Sequence, residues 1–538
     1  MPIPTARCNR SFPSKQTWRS TPAIVLCLLF AANAVGQPVT DGKEVYLNNC
    51  ATCHGVQGRG DGKASYLLFP KPRDFSSGQY RFKSTPNDQL PTDADLQRVI
   101  RDGVERTAMP AFDNVLQPEQ IEQLASYVLT LNQNANVPTE REPVALPETP
   151  EFTPELVVEG QRVYSAMGCG MCHGETGRGD GQAAYSLKDS QGYPLPPADF
   201  TTGVFKAGRK PVDLYRTIVV GVSGTPMPSF AKGVSQVEVP NVRESTDRIW
   251  AMVAYIQSMA VKREAEGIRA GALLSASVAT DSKMVSNPLH PAWRKVQAAT
   301  LSLQPIWQRK HATRSVEVKT VVTDDEIAIH LSWPDSTVNA MGDEVDKFTD
   351  AVAVMFSLDG RIPSISMGSA PSGPGTPSPV NLWHWKASRQ LNADAGKLHD
   401  VTSSAKPVSV DLYMYKKGDP VEGSIKEHDR TFVPAWEVGN LRADPQQMKQ
   451  VVLESNAMGF GSLTLQPLDK QDAAGRGMWS EGRWHVVLRR TRSNTGEGDV
   501  NLTTASVVPL AFAIWDGQAG DRNGTKLITG WHRLKSPH

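Results

Sequence analysis

Cys50-Ala51-Thr52-Cys53-His54 recurs 119 positions later as Cys169-Gly170-Met171-Cys172-His173, and each copy is followed by a Met-Pro at nearly the same distance. C-x-x-C-H is the attachment pattern of c-type haem. Its two thiols bond the porphyrin vinyl groups, and the histidine that follows is placed as the proximal iron ligand. Two covalent haem c groups on one chain point to electron transfer. Zinc is the competing reading of two C-x-x-C pairs. Against it, each pair sits in its own complete repeat with its own histidine.

The repeat extends well beyond the cysteines. Gly42, Val45 and Tyr46 match Gly160, Val163 and Tyr164 on a helix leading into the motif. Gly55-x-x-Gly58-Arg59-Gly60-Asp61-Gly62 matches Gly174-x-x-Gly177-Arg178-Gly179-Asp180-Gly181, and glycines this dense let backbone lie against a haem edge. No strand precedes them, so this is not a dinucleotide fingerprint. Thr107-Ala108-Met109-Pro110 then corresponds to Thr225-Pro226-Met227-Pro228, with Met109 55 residues after His54 and Met227 54 after His173. That is enough chain to bring a thioether to the opposite face of each porphyrin, where soft sulfur favours the reduced iron. Each unit closes with an apolar stripe at i, i+3, i+4, i+7: Ile121, Leu124, Ala125 and Val128, then Ile249, Met252, Val253 and Ile256. The two units resemble class I cytochrome c domains. The resemblance implies all-α folds with His54/Met109 and His173/Met227 iron ligation, and no open position for substrate chemistry.

The first 36 residues carry Arg7, Arg10, Lys15 and Arg19, an apolar run over residues 23–32, and Ala32-Asn33-Ala34. This reads as a secretory signal peptide, placing the protein in the periplasm. The run is short for a membrane span, and Leu26 disfavours a lipoprotein site at Cys27. With Cys8 and Cys27 in the leader, the haem motifs use the remaining four of six cysteines. No later segment has the length of a transmembrane span. A net charge of +1 over 538 residues gives no argument for nucleic acid.

Proline-rich residues 132–155 and Ala/Ser/Lys-rich residues 262–289 read as linkers. They separate units at 37–135, 151–262 and 288–538. In the third the period changes from 3.6 to 2. Val316, Val318 and Val322 alternate up to Thr323-Asp324-Asp325-Glu326, then Ile327, Ile329, Leu331 and Trp333 alternate again, a hairpin. Further strands are read at Val352-Val354-Phe356-Leu358, Trp484-Val486-Leu488 and Leu510-Phe512-Ile514. The expected fold is an all-β antiparallel sandwich behind the two all-α domains.

Ile365-Ser366-Met367-Gly368, Leu382-Trp383-His384-Trp385-Lys386, Gly477-Met478-Trp479 and Ile514-Trp515-Asp516-Gly517 resemble the haem-binding domain of the ethylbenzene dehydrogenase gamma subunit. Relatives of that family include gamma subunits of dimethylsulfide dehydrogenase and of chlorate and selenate reductases. The resemblance implies a non-covalent haem b held by a methionine and a lysine, and partners carrying iron–sulfur clusters and a molybdenum cofactor. Met367 takes the methionine position. Arg476 stands where the lysine is expected, and a guanidinium has no lone pair for iron. Lys470, His384 or Lys386 are substitutes, with packing the alternative for each. Two outcomes follow: an altered haem b site, or a sandwich without haem.

The expectation is a periplasmic multihaem subunit, non-catalytic alone, passing electrons between a molybdenum oxidoreductase and a soluble or membrane-bound redox carrier. Membrane association would come through partners. One alternative is a dihaem cytochrome whose haem-free sandwich docks or binds a ligand. Another is a dihaem dehydrogenase or peroxidase, which Met109 and Met227 disfavour.

Overall fold

The structure is a computed structural model that describes residues 41–243, 247–260, 267–309, 312–341, 347–370, 375–395, 450–493, 496–503 and 507–536. The expected signal peptide, residues 1–36, lies outside the described residues.

The N-terminal half is helical. Asp41 caps α1 (Gly42–Asn49), which leads through Cys50 into the short α2 (Ala51–His54). Thr92 and Asp95 form a capping box on α3 (Asp93–Asp102), and Pro118 opens α4 (Pro118–Thr130), a first-turn position where its missing N–H costs nothing. The second copy repeats the order with α5 (Pro154–Ala166), α6 (Gly170–His173), α7 (Pro211–Val220) and α8 (Arg248–Met259). Both predicted stripes are buried, on α4 and α8. A Cβ on Gly42 would overlap the Gln123 carbonyl, and one on Gly160 the Ala251 carbonyl. These two glycines let the first and last helices of each unit touch backbone to backbone.

The C-terminal region is rich in sheet. In chain order the strands are β1 (Leu273–Ser275), β2 (Ser277–Val278), β3 (Ala299–Ser302), β4 (Gln304–Pro305), β5 (Ser315–Val322), β6 (Glu326–Pro334) and β7 (Ala351–Ser357). There follow β8 (Val380–Lys386), α9 (Ala387–Ala395), β9 (Val452–Ala457), β10 (Thr464–Leu465), β11 (Ala474–Ser480), β12 (Arg483–Thr491), β13 (Val507–Trp515), β14 (Leu527–Ile528) and β15 (His532–Lys535). One sheet runs β1-β15-β13-β7-β8-β9-β10 with β14 and β4 beside β13, and the other runs β11-β12-β6-β5-β2 with β3 on β5. The expected hairpin is β5–β6, Val322 facing Ile327, its turn closed by Thr323 and Glu326. Val354, Phe356, Trp383 and Phe512 from one sheet share a core with Ile329, Trp333, Trp484 and Val486 from the other.

Two expectations are corrected. Residues 262–289 are not simply a linker: Ala270, Ala272, Leu274 and Ala276 are buried in alternation, and β1 and β2 lie within this span. The pairing is also not purely antiparallel, since β1 runs parallel to β15 and β2 parallel to β5. This segment reaches the sheet edges from the second helical unit rather than from a neighbouring hairpin, so no tight turn forces it to run antiparallel.

The outer face of the larger sheet is covered as well. Met355, Val380, Ala457, Ala511 and Trp531 join Tyr46, Leu124 and Phe112 of the first helical unit in one cluster. β7 is therefore buried at every position, and a strand buried on both faces reads as a continuous apolar run.

Candidate functional site

The two copies build the same frame. Cys50 and Cys53 lie one turn apart around α2, as do Cys169 and Cys172 around α6, and all four are free thiols. The His54 ring stacks on Phe75 at 4.6 Å and the His173 ring on Phe200 at 4.5 Å. Nδ1 of His54 lies 3.1 Å from the Arg73 carbonyl, and Nδ1 of His173 lies 3.1 Å from the Ala198 carbonyl. A carbonyl accepts only from N–H, so this contact puts the proton on Nδ1 and leaves the Nε2 lone pair for a metal. Burial pushes His54 down to about 4 and lowers His173, which keeps both rings in the neutral, ligating form. Burial also pushes Cys50 up to about 12 and Cys169 up to about 11.

The methionine loops are equally matched. Thr107 Oγ1 donates to the Val104 carbonyl at 2.8 Å and accepts from the Met109 N–H at 3.2 Å; Thr225 does the same with Val222 and Met227, at the same distances. Gly103 (φ 64°) and Gly221 (φ 77°) lie against the Pro110 and Pro228 backbones, where a side chain would be both strained and overlapped. Tyr46 Oη donates to the Gly55 carbonyl at 2.7 Å, and Tyr164 Oη to the Gly174 carbonyl at 2.8 Å. These bonds tie each first helix to the glycine loop.

In the first unit these residues line a cavity, open on one side, that brings together Cys50, Cys53, His54 and Met109. The sheet region contributes Pro363, Ile365 and Trp531 to its wall, and the second unit contributes Lys206. Two buried donors in the lining, Arg81 Nε and Trp531 Nε1, have no hydrogen-bond partner. The apolar walls, paired thiols, imidazole and thioether fit a covalently attached haem, and the two orphaned N–H groups fit a ligand with acceptor atoms.

Sequence reasoning passed over the stacking phenylalanines. Their signal is a further match, Asp74-Phe75-Ser76-Ser77-Gly78 with Asp199-Phe200-Thr201-Thr202-Gly203. Each aspartate accepts from the N–H two residues on, at 2.9 and 3.1 Å, and so sets the turn that presents the ring.

Met367 lies elsewhere. With φ at 70° it lies, like Ile362, Ile365 and Leu382, partly buried against the cluster that the first unit shares with the larger sheet, and its neighbour Ser366 places Oγ 3.9 Å from Cys53 Sγ. Arg476 on β11 is exposed, its guanidinium 3.9 Å from Asp394. His384 on β8 packs its ring against Trp515, centroids 5.0 Å apart and planes tilted by 38°, Lys386 ends the same strand, and Lys470 is exposed.

Residues 37–128 match the family model described as cytochrome C oxidase, cbb3-type, subunit III, and residues 157–260 match cytochrome c. Residues 290–526 match the ethylbenzene dehydrogenase family model. The N-terminal half thus holds cytochrome c domains, which imply covalent haem c, and the sheet-rich C-terminal region is similar to the ethylbenzene dehydrogenase family. Chlorate reductase subunit gamma of Ideonella dechloratans is 23% identical over 42% of this chain and 66% of its own length. Dimethylsulfide dehydrogenase subunit gamma of Rhodovulum sulfidophilum is 24% identical over 41% and 60%. The cbb3-type cytochrome c oxidase subunit FixP of Sinorhizobium medicae is 32% identical over 26% and 41%. The chain thus spans two thirds or less of the length of these relatives. A solved chain of a reducing HAO-like protein complex from Kuenenia stuttgartiensis is 36% identical over 42% of this chain and all of its own, with a TM-score of 0.38. Among the described residues no helix is long and apolar enough to cross a membrane.

Proposed function

We propose that the chain is a periplasmic, two-haem electron-transfer subunit that relays electrons between a molybdenum oxidoreductase and a respiratory-chain carrier. A signal peptide over residues 1–36 exports it. Helical domains 37–135 and 151–262 each hold one covalent haem c, through Cys50, Cys53, His54 and Met109 and through Cys169, Cys172, His173 and Met227. Residues 288–538 form a β-sandwich that docks on the oxidoreductase. The observation that carries this reading is the duplicated histidine and methionine frame, whose first copy opens against the sheet region through Pro363, Ile365 and Trp531. The first haem is then the one nearer the docked oxidoreductase, and electrons pass between that partner and the second haem through it. Six-coordinate iron at both sites leaves no position for substrate.

The sandwich carries no haem in this reading, because the exposed Arg476 stands on β11 where the family's lysine is expected; a haem b on Met367 is the second reading. A pyridine haemochrome assay with acid–acetone extraction of the exported protein tests both. Two covalent haems with no extractable haem support the docking sandwich, and one extractable haem b restores Met367 as a ligand. Fewer than two covalent haems, or carbon monoxide binding by the reduced protein, would overturn the relay.

A further inference from the structure

The first unit's cavity is lined by Lys71, Arg73, Arg81 and Lys206, and by no carboxylate. Lys71 is occupied, its Nζ donating to the Ser65 and Tyr66 carbonyls at 3.0 and 3.3 Å. Arg81 pairs with Asp189 at 2.8 Å, while its Nε is buried without an acceptor. Arg73, whose carbonyl holds His54, lies half-buried in the same lining. Lys206 is pushed down to about 8, by burial first and Arg81 second. Cations drawn together in a partly dry cavity repel and lose hydration, and an anion beside them removes both penalties.

Lys206 belongs to the second unit. It follows Phe205 as Arg81 follows Tyr80, so the repeat alone would assign it to its own unit's haem. The contact that carries it across is built in. Gly181 and Phe200 are 19 positions apart, against 13 for Gly62 and Phe75, and the longer loop holds Asp189 against Arg81 and Ser190 Oγ 2.7 Å from Gln79 Oε1. Gln308 of the sheet region accepts from Lys206 Nζ at 2.8 Å and is itself tied by its N–H to the Phe69 carbonyl at 2.7 Å. A lysine has three donors, and Gln308 takes one.

We propose that Lys206 crosses from the second unit to bind, with Arg73 and Arg81, the two carboxylate side chains of the haem in the first unit. The second cytochrome domain thereby completes the first one's cofactor site and fixes the approach of the two haems. This rests on the two-haem reading above. A cation near the haem edge favours the reduced iron, so Lys206 raises the first haem's potential.

The test is a spectroscopic redox titration of the parent, Lys206→Gln and Arg73→Gln proteins, after a pyridine haemochrome has counted two covalent haems in each. A wrong count in the parent fails the two-haem reading and is seen before any titration. Arg73 belongs to the first unit alone, so the wave that Arg73→Gln lowers is the first haem's. Lys206→Gln is expected to lower that same wave about tenfold in equilibrium, about 59 mV for one electron, with the other wave unmoved and Lys206→Arg restoring it. If Lys206→Gln does not accumulate, Lys206→Met carries the same expectation. A shift of the other wave instead, or no shift in either variant, overturns the proposal.

Discussion

At the level of single residues, Met109 and Met227 are presented by identical turns but in different company. Met109 sits in a cavity walled by the sheet region, and Met227 is half-buried on the second unit. Thioether sulfur holds ferrous iron better than imidazole does. Met109→His and Met227→His should each lower one wave of a redox titration and leave the other. The size is on the order of 100 mV, a fraction of the roughly 0.8 V that axial ligation spans. Both waves moving together in either variant would show that the methionines do not serve separate irons. Arg490 governs stability rather than potential. Its guanidinium, fully buried, lies 2.9 Å from Glu454 and 3.6 Å from Asp499, and 5.1 Å from the Trp383 ring whose Nε1 donates to the same Glu454 oxygen at 2.9 Å. Removing one partner of such a pair strands the other charge. Arg490→Met should therefore destabilise by about 3–5 kcal/mol, read by denaturant unfolding, and adding Glu454→Gln should recover part of that. A loss below about 1 kcal/mol, the scale of an exposed pair, would contradict this account.

Strand ends carry the next level of control. Asp335 follows β6, Asp350 precedes β7 and Asp516 follows β13, with carboxylate oxygens within 4.8 Å of one another. Asp350 accepts from the Asn339 and Gly517 N–H groups at 2.7 and 2.8 Å and from Trp484 Nε1 at 3.0 Å. Burial, with the Asp335 charge, pushes Asp350 up to about 7, and burial pushes Asp335 up to about 6. A carboxyl raised above its unfolded value of 3.8 holds its proton more tightly in the fold. The stability it contributes is complete below that value and is lost as pH rises through 6 and 7. His330 and His532 act in the opposite sense, since burial pushes each from 6.5 down to about 3, and their contribution is lost as pH falls below 6.5. Asp335→Asn should therefore flatten the fall in unfolding free energy between about pH 4 and 7, by about 1–3 kcal/mol at the upper end, and leave the acid limb of the histidines unchanged. Parallel curves for variant and parent would refute the coupling. How far such elements can be read from the chain depends on how strictly their chemistry constrains it. Haem attachment fixes residue type and spacing together, so Cys50 to Met109 and Cys169 to Met227 stand out. The β5–β6 hairpin shows because one face is buried and the turn is polar. β1 and β2 escape notice because they are two or three residues long, β1 burying only Leu274 and β2 neither of its residues. The packing of Met367 is set by which unit lies against the sheet, and no local pattern records that.

At the level of the whole molecule, the larger sheet has two buried faces of different origin, one closed by the smaller sheet and one by the first cytochrome domain. The second closure is apolar at its centre, where Met355, Val380, Ala457 and Ala511 are each under 9% exposed. It is polar around them: Asn48 Oδ1 accepts from the Thr376 N–H at 2.6 Å, and Gln304 Oε1 from the Arg106 N–H at 2.6 Å. An interface with an apolar centre couples the folding of the parts it joins, so the first domain and the sheet region should melt as one unit. Ala511 lies on β13 facing that centre and is 3% exposed. A carboxylate there would be buried without a partner, which costs several kcal/mol unless the surfaces part. Ala511→Glu should thus split one calorimetric transition into two while the pyridine haemochrome still counts two covalent haems. Parting would also wet the cavity wall formed by Ile365 and Trp531, and greater exposure stabilises the more highly charged oxidised haem, so the first haem's potential should fall while the second stays. A variant that keeps a single transition and an unchanged first potential would mean that the domain and the sheet touch without coupling.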